Sequence, residues 1–151
     1  MEILRADITD AETILKLQKV AYLSEARRYN DYSIPPLQQT LEEIKEEFAT
    51  HVLLKAVEDS ELVGSVRGYQ KNDTCHIGRL IVLPEHQRKG IGSALLKEIE
   101  KYFDKVERFE LFTGVESREN LRLYSRHGYK EFKTERLKND VSLVYMEKRV
   151  K

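Results

Sequence analysis

Hydrophobic positions recur along the chain with two periods, and the changes between them mark out its elements. Residues 2–6 read as a short strand. Ile14, Leu17 and Ala21 recur at helical spacing behind a capping-box pattern, Thr9-Asp10-Ala11-Glu12. Over residues 25–36 (EARRYNDYSIPP) the periodicity lapses, and two prolines among polar residues predict a loop. A second capping box, Thr40-Leu41-Glu42-Glu43, opens a helix that turns Leu41, Ile44 and Phe48 inward. Strands are expected at 51–57 and 62–70, joined by Glu58-Asp59-Ser60-Glu61, and Lys71-Asn72-Asp73-Thr74 turns the chain into a third. In that strand Leu80-Ile81-Val82-Leu83 is a near-continuous apolar run, as expected of a strand covered on both faces, and Pro84 ends it. The next helix carries Ile91, Leu95, Ile99 and Tyr102 or Phe103 on one face. Residues 108–114 alternate Phe109, Leu111 and Thr113 as a strand. Ser117 is the expected N-cap of a helix reaching His127, with Gly128 past its end. Two strands, 129–136 and 141–149, turn at Asn139-Asp140 and finish the chain.

The order βααβββαβαββ puts helices between strands of one mixed central sheet, an α/β (α+β) class. At 151 residues, without an internal repeat or linker, it predicts a single domain over 1–151. Hydrophobic residues at 40% and charged residues at 34% are an ordinary folding mixture. Lys+Arg and Asp+Glu are both 26, and this zero formal charge argues against nucleic acid as the main partner. No apolar run approaches the ~18 residues of a membrane span. The N-terminus MEILRADITD carries acids where a signal peptide needs basic and then apolar residues. The lone Cys75 excludes an intrachain disulfide and suits a reducing compartment, so a cytoplasmic location is expected.

Candidate chemistry concentrates after the third strand of the hairpin series. There a basic loop, Gln87-Arg88-Lys89, runs into Gly90-Ile91-Gly92-Ser93 and a helix. Strand, glycine loop and helix N-terminus in that order make an anion site, because glycines let backbone approach a phosphate and the first-turn N–H groups are unpaired. A dinucleotide fingerprint lacks its third glycine here, and an ATP phosphate loop lacks its Gly-Lys-Ser/Thr. The remaining pattern, Gln87-x-x-Gly90-x-Gly92 after Val82-Leu83-Pro84, resembles the acyl-CoA pyrophosphate loop of the GCN5-related N-acetyltransferases (GNAT). A second family signature, Asn-x-x-x-Tyr-x-x-x-Gly-Phe/Tyr, matches Asn120, Tyr124, Gly128 and Tyr129. The element order is also that family's, so the resemblance spans essentially the whole chain. It is most specific over residues 77–128.

The resemblance implies acetyl-CoA as co-substrate, with Gln87, Arg88, Lys89, Gly90, Ile91, Gly92 and Ser93 around the pyrophosphate. It also implies backbone groups of Leu80, Ile81 and Val82 along the pantetheine arm, and Asn120 hydrogen-bonded to that arm. Asn120 and Tyr124 are four apart and share a helix face. On that reading Tyr124 protonates the departing thiolate, a role that suits a phenol of pKa ~10. The alternative for Tyr124 is packing in an amphipathic stripe. His76 is the candidate base, since an imidazole of pKa ~6.5 is matched to an amine's proton. Relatives often carry Glu at its position, and a solvent-exposed strand-end histidine is an equal reading. Cys75 and its neighbour His76 point to opposite strand faces, so Cys75 is expected in the core. His51, His86 and His127 read as surface or loop residues, and the four histidines show no metal-ligand spacing, so no metal is expected. Arg118, Arg122 and Arg126 form a stripe whose usual meaning is a solvated face; by resemblance Arg126 is a candidate for the 3′-phosphate of coenzyme A. The loop Tyr29-Asn30-Asp31-Tyr32, with Glu25, lies where the family has its acceptor site.

The expected function is acetyl transfer from acetyl-CoA to a primary amine of a small molecule, peptide or protein, directly and within a ternary complex. No nucleic-acid or membrane partner is expected, and homodimers are common in the family. The alternative is a non-catalytic acyl-CoA-binding or sensing domain of the same fold.

Overall fold

Every strand expected from the hydrophobic pattern forms, and the computed structural model, which describes residues 1–137 and 141–150, joins them into one sheet. In chain order the elements are β1 (Glu2–Arg5), α1 (Ala11–Tyr29), α2 (Pro35–Gln38), α3 (Leu41–Glu47), β2 (Val52–Glu58), β3 (Glu61–Lys71) and β4 (Thr74–Val82). There follow α4 (Ile91–Lys101), β5 (Arg108–Gly114), α5 (Arg118–Arg126), β6 (Lys130–Arg136) and β7 (Ser142–Arg149). This is the predicted order with α2, a single turn, added. The expected turn at Asn139-Asp140 lies outside the described residues.

The sheet order is β1-β2-β3-β4-β5-β7-β6. Neighbours pair antiparallel except β4 and β5, which run parallel. That parallel pairing covers only Thr74↔Arg108, Cys75↔Phe109 and His76↔Glu110. Beyond it β4 continues to Val82 and β5 to Gly114 without touching, so the sheet splits down its middle. A bulge marks the split. Ser65 faces Ile81 but Arg67 faces Gly78, which leaves an extra residue in β4, and Arg79 there holds φ +51.

The strands' alternation divides the side chains between two cores. On one face Leu54, Val66, Cys75, Ile77, Phe109 and Leu111 meet Ile91, Leu95 and Ile99 of α4. On the other, Ile14 and Leu15 of α1 and Ile44 of α3 close over Leu53. Cys75 is thus a core residue, as expected, and burial pushes its thiol up to about 12. The Thr40 capping box forms as predicted, with Thr40 and Glu43 each bonding the other's backbone N–H.

The chain departs from expectation at both ends of α1. Its capping box sits two residues earlier, between Asp7 and Asp10, on a 3₁₀ turn at Ile8–Asp10. At the far end the helix runs through Glu25 to Tyr29 where a loop was expected, and Asn30 closes it at φ +51. Glu, Ala and Arg are strong helix formers. The apolar periodicity stops there because this part of α1 packs polar groups rather than apolar ones. Two turns back from Glu25, Gln18 is fully buried and joins Arg67, which donates to the Gln18 side-chain oxygen at 2.7 Å and to Glu47 at 2.9 Å. Gln18 in turn donates to the Pro36 carbonyl at 2.8 Å, so this polar knot fixes all three N-terminal helices on the sheet.

Candidate active site

The split between β4 and β5 opens into a cleft of about 1120 Å³. Three further elements wall it: the second half of α1, the loop entering α4, and α5. Of the residues singled out from sequence, His76, Leu80, Ile81, Val82, Gln87, Arg88, Gly90, Ile91, Gly92, Ser93, Asn120 and Tyr124 all line this cleft. Lys89 does not; it is exposed outside the lining.

At the loop, the chain leaves β4 through a Pro84–His86 3₁₀ turn and reaches α4 with Gly90 as N-cap at φ +84. No described atom lies within 4 Å of where a Gly90 Cβ would be, so the glycine is needed for its backbone angle rather than for space. Gln87 donates to the Val82 carbonyl at 3.2 Å and ties the loop to the strand end. Arg88 bridges to Glu119 of α5 at 2.9 Å, both side chains well exposed. Ser93 is in hydrogen-bond contact with the His127 ring just past α5, so the glycine loop and the Asn120/Tyr124 helix are joined. His127 lies in a turn, as expected, but has a partner there, and burial holds its pKa below the usual imidazole range.

From α5, Asn120 donates to the Thr113 hydroxyl of β5 at 3.2 Å. Tyr124, one turn on, is 5% exposed, with its ring 6.2 Å from that of Tyr129. Burial lifts its hydroxyl well above the usual phenol range, with smaller contributions from the nearby Tyr22 and Glu25. The N-cap expectation for Ser117 holds for its place but not for its side chain, which makes no cap bond. Instead the Ser117 hydroxyl donates to both carboxylate oxygens of Glu25, at 2.9 and 2.8 Å. Arg28 completes the group, 2.9 Å from Glu25. Tyr29 accepts from the Glu116 N–H at 2.8 Å and lies flat on Gly114, where a Cβ would fall 2.2 Å from the Tyr29 oxygen. Of the residues expected around the acceptor, Glu25 and Tyr29 thus belong to α1 and are clamped across the cleft to the start of α5, while residues 30–34 form the loop that follows.

His76 closes the narrow end. Its ring stacks on Tyr69, with centroids 5.0 Å apart and planes at 19°, and its Nδ1 is 3.7 Å from Glu110. Arg108 holds that carboxylate at 3.0 Å. His51 lies in a loop, as expected, but likewise has a partner: its ring lies 4.8 Å from that of Tyr69. Sequence reading missed Glu110, because its position opposite His76 depends on the register of two strands far apart in the chain. It also missed Tyr22, Arg67 and Arg79. Tyr22 had a readable signal, since Tyr22, Glu25 and Tyr29 share one face of a helix once the helix is known to continue.

Among the described residues no His/Cys/Asp/Glu group is arranged to hold a metal, and no helix is long and apolar enough to cross a membrane.

Known proteins resemble this chain in sequence and in fold. The family model described as an acetyltransferase (GNAT) domain matches residues 24–150. UPF0157 protein YqkA of Bacillus subtilis is 30% identical over 129 residues, which are 85% of this chain and 37% of that protein. The chain therefore spans little more than a third of that curated relative's length. The PaiA N-acetyltransferase of Thermoplasma acidophilum, solved in complex with coenzyme A, has a TM-score of 0.81 at 23% identity, covering 98% of each chain. The ribosomal-protein-S18-alanine N-acetyltransferase of Escherichia coli has the same TM-score at 15% identity, covering 99% of this chain and 93% of that one. At these identities the structural likeness is one of fold.

Proposed function

Because the chain belongs to the acetyltransferase (GNAT) domain family, we propose that it transfers an acetyl group from acetyl-CoA to a primary amine, directly and within a ternary complex. The observation that carries this reading is the cleft itself: two parallel strands part beside a left-handed Gly90, with the buried Tyr124 lining the gap. Where β4 runs free of β5, its outward N–H and C=O groups at Leu80 to Val82 are available to the amides of a pantetheine arm and to the thioester carbonyl. Asn120, fixed on Thr113, borders the same gap. The first turn of α4, entered through Gly90 and Gly92, offers unpaired N–H groups to the pyrophosphate. Arg122 and Arg126 line the same cleft and suit the remaining phosphate of the nucleotide.

The acceptor amine attacks the thioester carbon after losing its proton, and the C–S bond then breaks as the thiolate leaves. His76 takes the amine's proton. Its Nδ1 is 3.7 Å from Glu110, which holds the ring in place. Tyr124 gives its proton to sulfur. The burial that raises its pKa does not disqualify it, because the same desolvation raises the basicity of a thiolate.

Release of free thiol from acetyl-CoA, measured with the purified protein against a library of small amines, amino acids and peptides, tests the proposal. Acceptor-dependent release supports it. Tight CoA binding with no release across the library would instead favour an acyl-CoA sensor.

A further inference from the structure

Arg79 stands out from the other charged groups of the cleft. It occupies the bulge of β4 at φ +51, a backbone conformation that a non-glycine residue holds only when its surroundings impose it. The bulge brings its side chain to the α1 side of the sheet, where its charge acts on Tyr22. That is the face opposite α4.

Pairing off the charges of this half of the cleft leaves Arg79 with the neutral Tyr22 hydroxyl as a hydrogen-bond partner and no carboxylate. Arg67 is 2.9 Å from Glu47, Arg28 is 2.9 Å from Glu25, and Arg108 is 3.0 Å from Glu110. Arg79 is half-buried, yet among the described residues no carboxylate lies within 4.0 Å of it. A guanidinium lining a cleft with no carboxylate beside it is placed to take an anion from a ligand. A second observation points the same way. Arg67 is 3% exposed and lines the cleft, and its Nε has no hydrogen-bond acceptor among the described residues. Both guanidiniums favour negative charge at the Tyr22 hydroxyl, against the burial that otherwise raises its pKa. The phosphates of acetyl-CoA are not the missing anion, since the groups that suit them lie on the loop into α4 and on α5.

We propose that Arg79 anchors a carboxylate carried by the acceptor, so that the amine acetylated is that of an amino acid or a similar amino carboxylic acid rather than of a simple amine. This deepens the acetyltransferase reading and rests on it. A guanidinium fork matches a carboxylate in two parallel hydrogen bonds, which fixes the acceptor's orientation as well as binding it. The aromatic floor of Tyr69, His51 and His76 and the apolar edge of Phe112 and Tyr145 lie along the same cleft and fit an acceptor side chain.

The test uses matched acceptors: phenylalanine with phenethylamine, tyrosine with tyramine, lysine with cadaverine, and a short peptide with a free or an amidated C-terminus. Thiol release is followed for the wild type, Arg79→Gln and Arg79→Lys, and CoA affinity of each is measured by calorimetry. The wild type is expected to prefer at least one amino acid over its decarboxylated partner by about 10²-fold or more in kcat/KM, the scale of discrimination against a ligand that leaves a buried polar group unpaired. Arg79→Gln should bring that ratio near one, chiefly through KM, and Arg79→Lys should restore part of it. Wild-type turnover of simple amines or amidated peptides as fast as the acids overturns the assignment, as does an equal loss on both in Arg79→Gln. Should the glutamine variant fail to fold, inhibition decides: 3-phenylpropionate must compete with phenylalanine in the wild type, and absence of competition overturns the proposal. CoA binding with no release from any acceptor overturns the acetyltransferase reading itself, an outcome distinct from loss of carboxylate preference.

Discussion

Ser117, where α5 begins, and Glu25, in the last turns of α1, are joined by a hydroxyl donating to both carboxylate oxygens at 2.9 and 2.8 Å. They are 92 residues apart in sequence, and their bond closes one side of the cleft. Ser117→Ala removes the donor and leaves Glu25 to Arg28 alone. Hydrogen bonds to a charged group contribute about 1.5–3 kcal/mol, so the denaturation midpoint should fall accordingly with an unchanged slope. Gly114→Ala attacks the same strap from below, since its Cβ displaces the Tyr29 ring. Both variants should raise the acceptor's KM more than they weaken CoA binding. If neither does, the clamp is a stabilising contact without a part in the site.

Two histidines make stability depend on pH in a defined window. Burial, the largest cause for each, lowers the folded pKa of His51 and of His127 below the ordinary imidazole value. For His127 the positive charge of Lys97 adds to it. A lowered folded pKa means the unfolded chain binds more protons between that value and about 6.5. Stability is then fully present above about 6.5 and is lost as pH falls through the folded values. Thermal melts from pH 7.5 down to 5 should show this loss before the carboxylates titrate. The double variant His51→Gln, His127→Gln should flatten that part of the curve. An unchanged slope would assign the acid sensitivity to other groups.

How much of this was legible beforehand follows from the range of each interaction. The glycine loop, the Thr40 capping box and the Asn120–Tyr124 spacing are local patterns, and each lies in the structure where its spacing put it. The C-terminal part of α1 was misread because hydrophobic periodicity reports burial against apolar neighbours, whereas Glu25 and Arg28 are held by Ser117. Glu110 beside His76 and Arg79 on its bulge depend on strand register, which no local pattern encodes. Histidines 51, 86 and 127 lie in loops or turns as expected, but their partners depend on the same long-range placement. His86, for instance, lies between Glu58 at 3.3 Å and Glu61 at 3.4 Å, groups brought to it by the β2–β3 hairpin.

His76 has its ring packed on Tyr69 and its Nδ1 toward Glu110, and it lines the cleft. As general base it works only when neutral, so the rate should fall on the acidic side of the pH profile. His76→Ala should lower kcat, by about 10²–10⁴-fold where the proton transfer limits the rate, and should move that acidic limb. An unaltered limb with a good acceptor would assign the proton to water or to another carboxylate.

Gly92 differs from Gly90 in what it tolerates. A Cβ there would meet Leu123 at 3.5 Å and Val82 at 3.9 Å, ordinary contact distances, and no positive φ is involved. Gly92→Val should therefore fold, while its branched side chain covers the first-turn N–H groups of α4. Calorimetry with CoA should show a marked loss of affinity. Equal affinity for wild type and variant would remove this turn from the pyrophosphate site.

Tyr124→Phe separates packing from chemistry at a buried position of the cleft. The ring, 5% exposed and packed near Tyr129, is retained, so the melting temperature should hardly move. What is lost is the hydroxyl proton that the expelled thiolate would take. Removal of a general acid costs about 10²–10⁴-fold in rate, equivalent to roughly 3–5 kcal/mol of transition-state stabilisation. The loss should fall on kcat and leave acetyl-CoA affinity nearly unchanged, because the hydroxyl matters most once charge forms on sulfur. The comparison needs an acceptor that the wild type turns over well and conditions in which chemistry limits the rate. Near wild-type kcat in Tyr124→Phe would sink the assignment, and a large fall in acetyl-CoA affinity would make Tyr124 a binding residue instead.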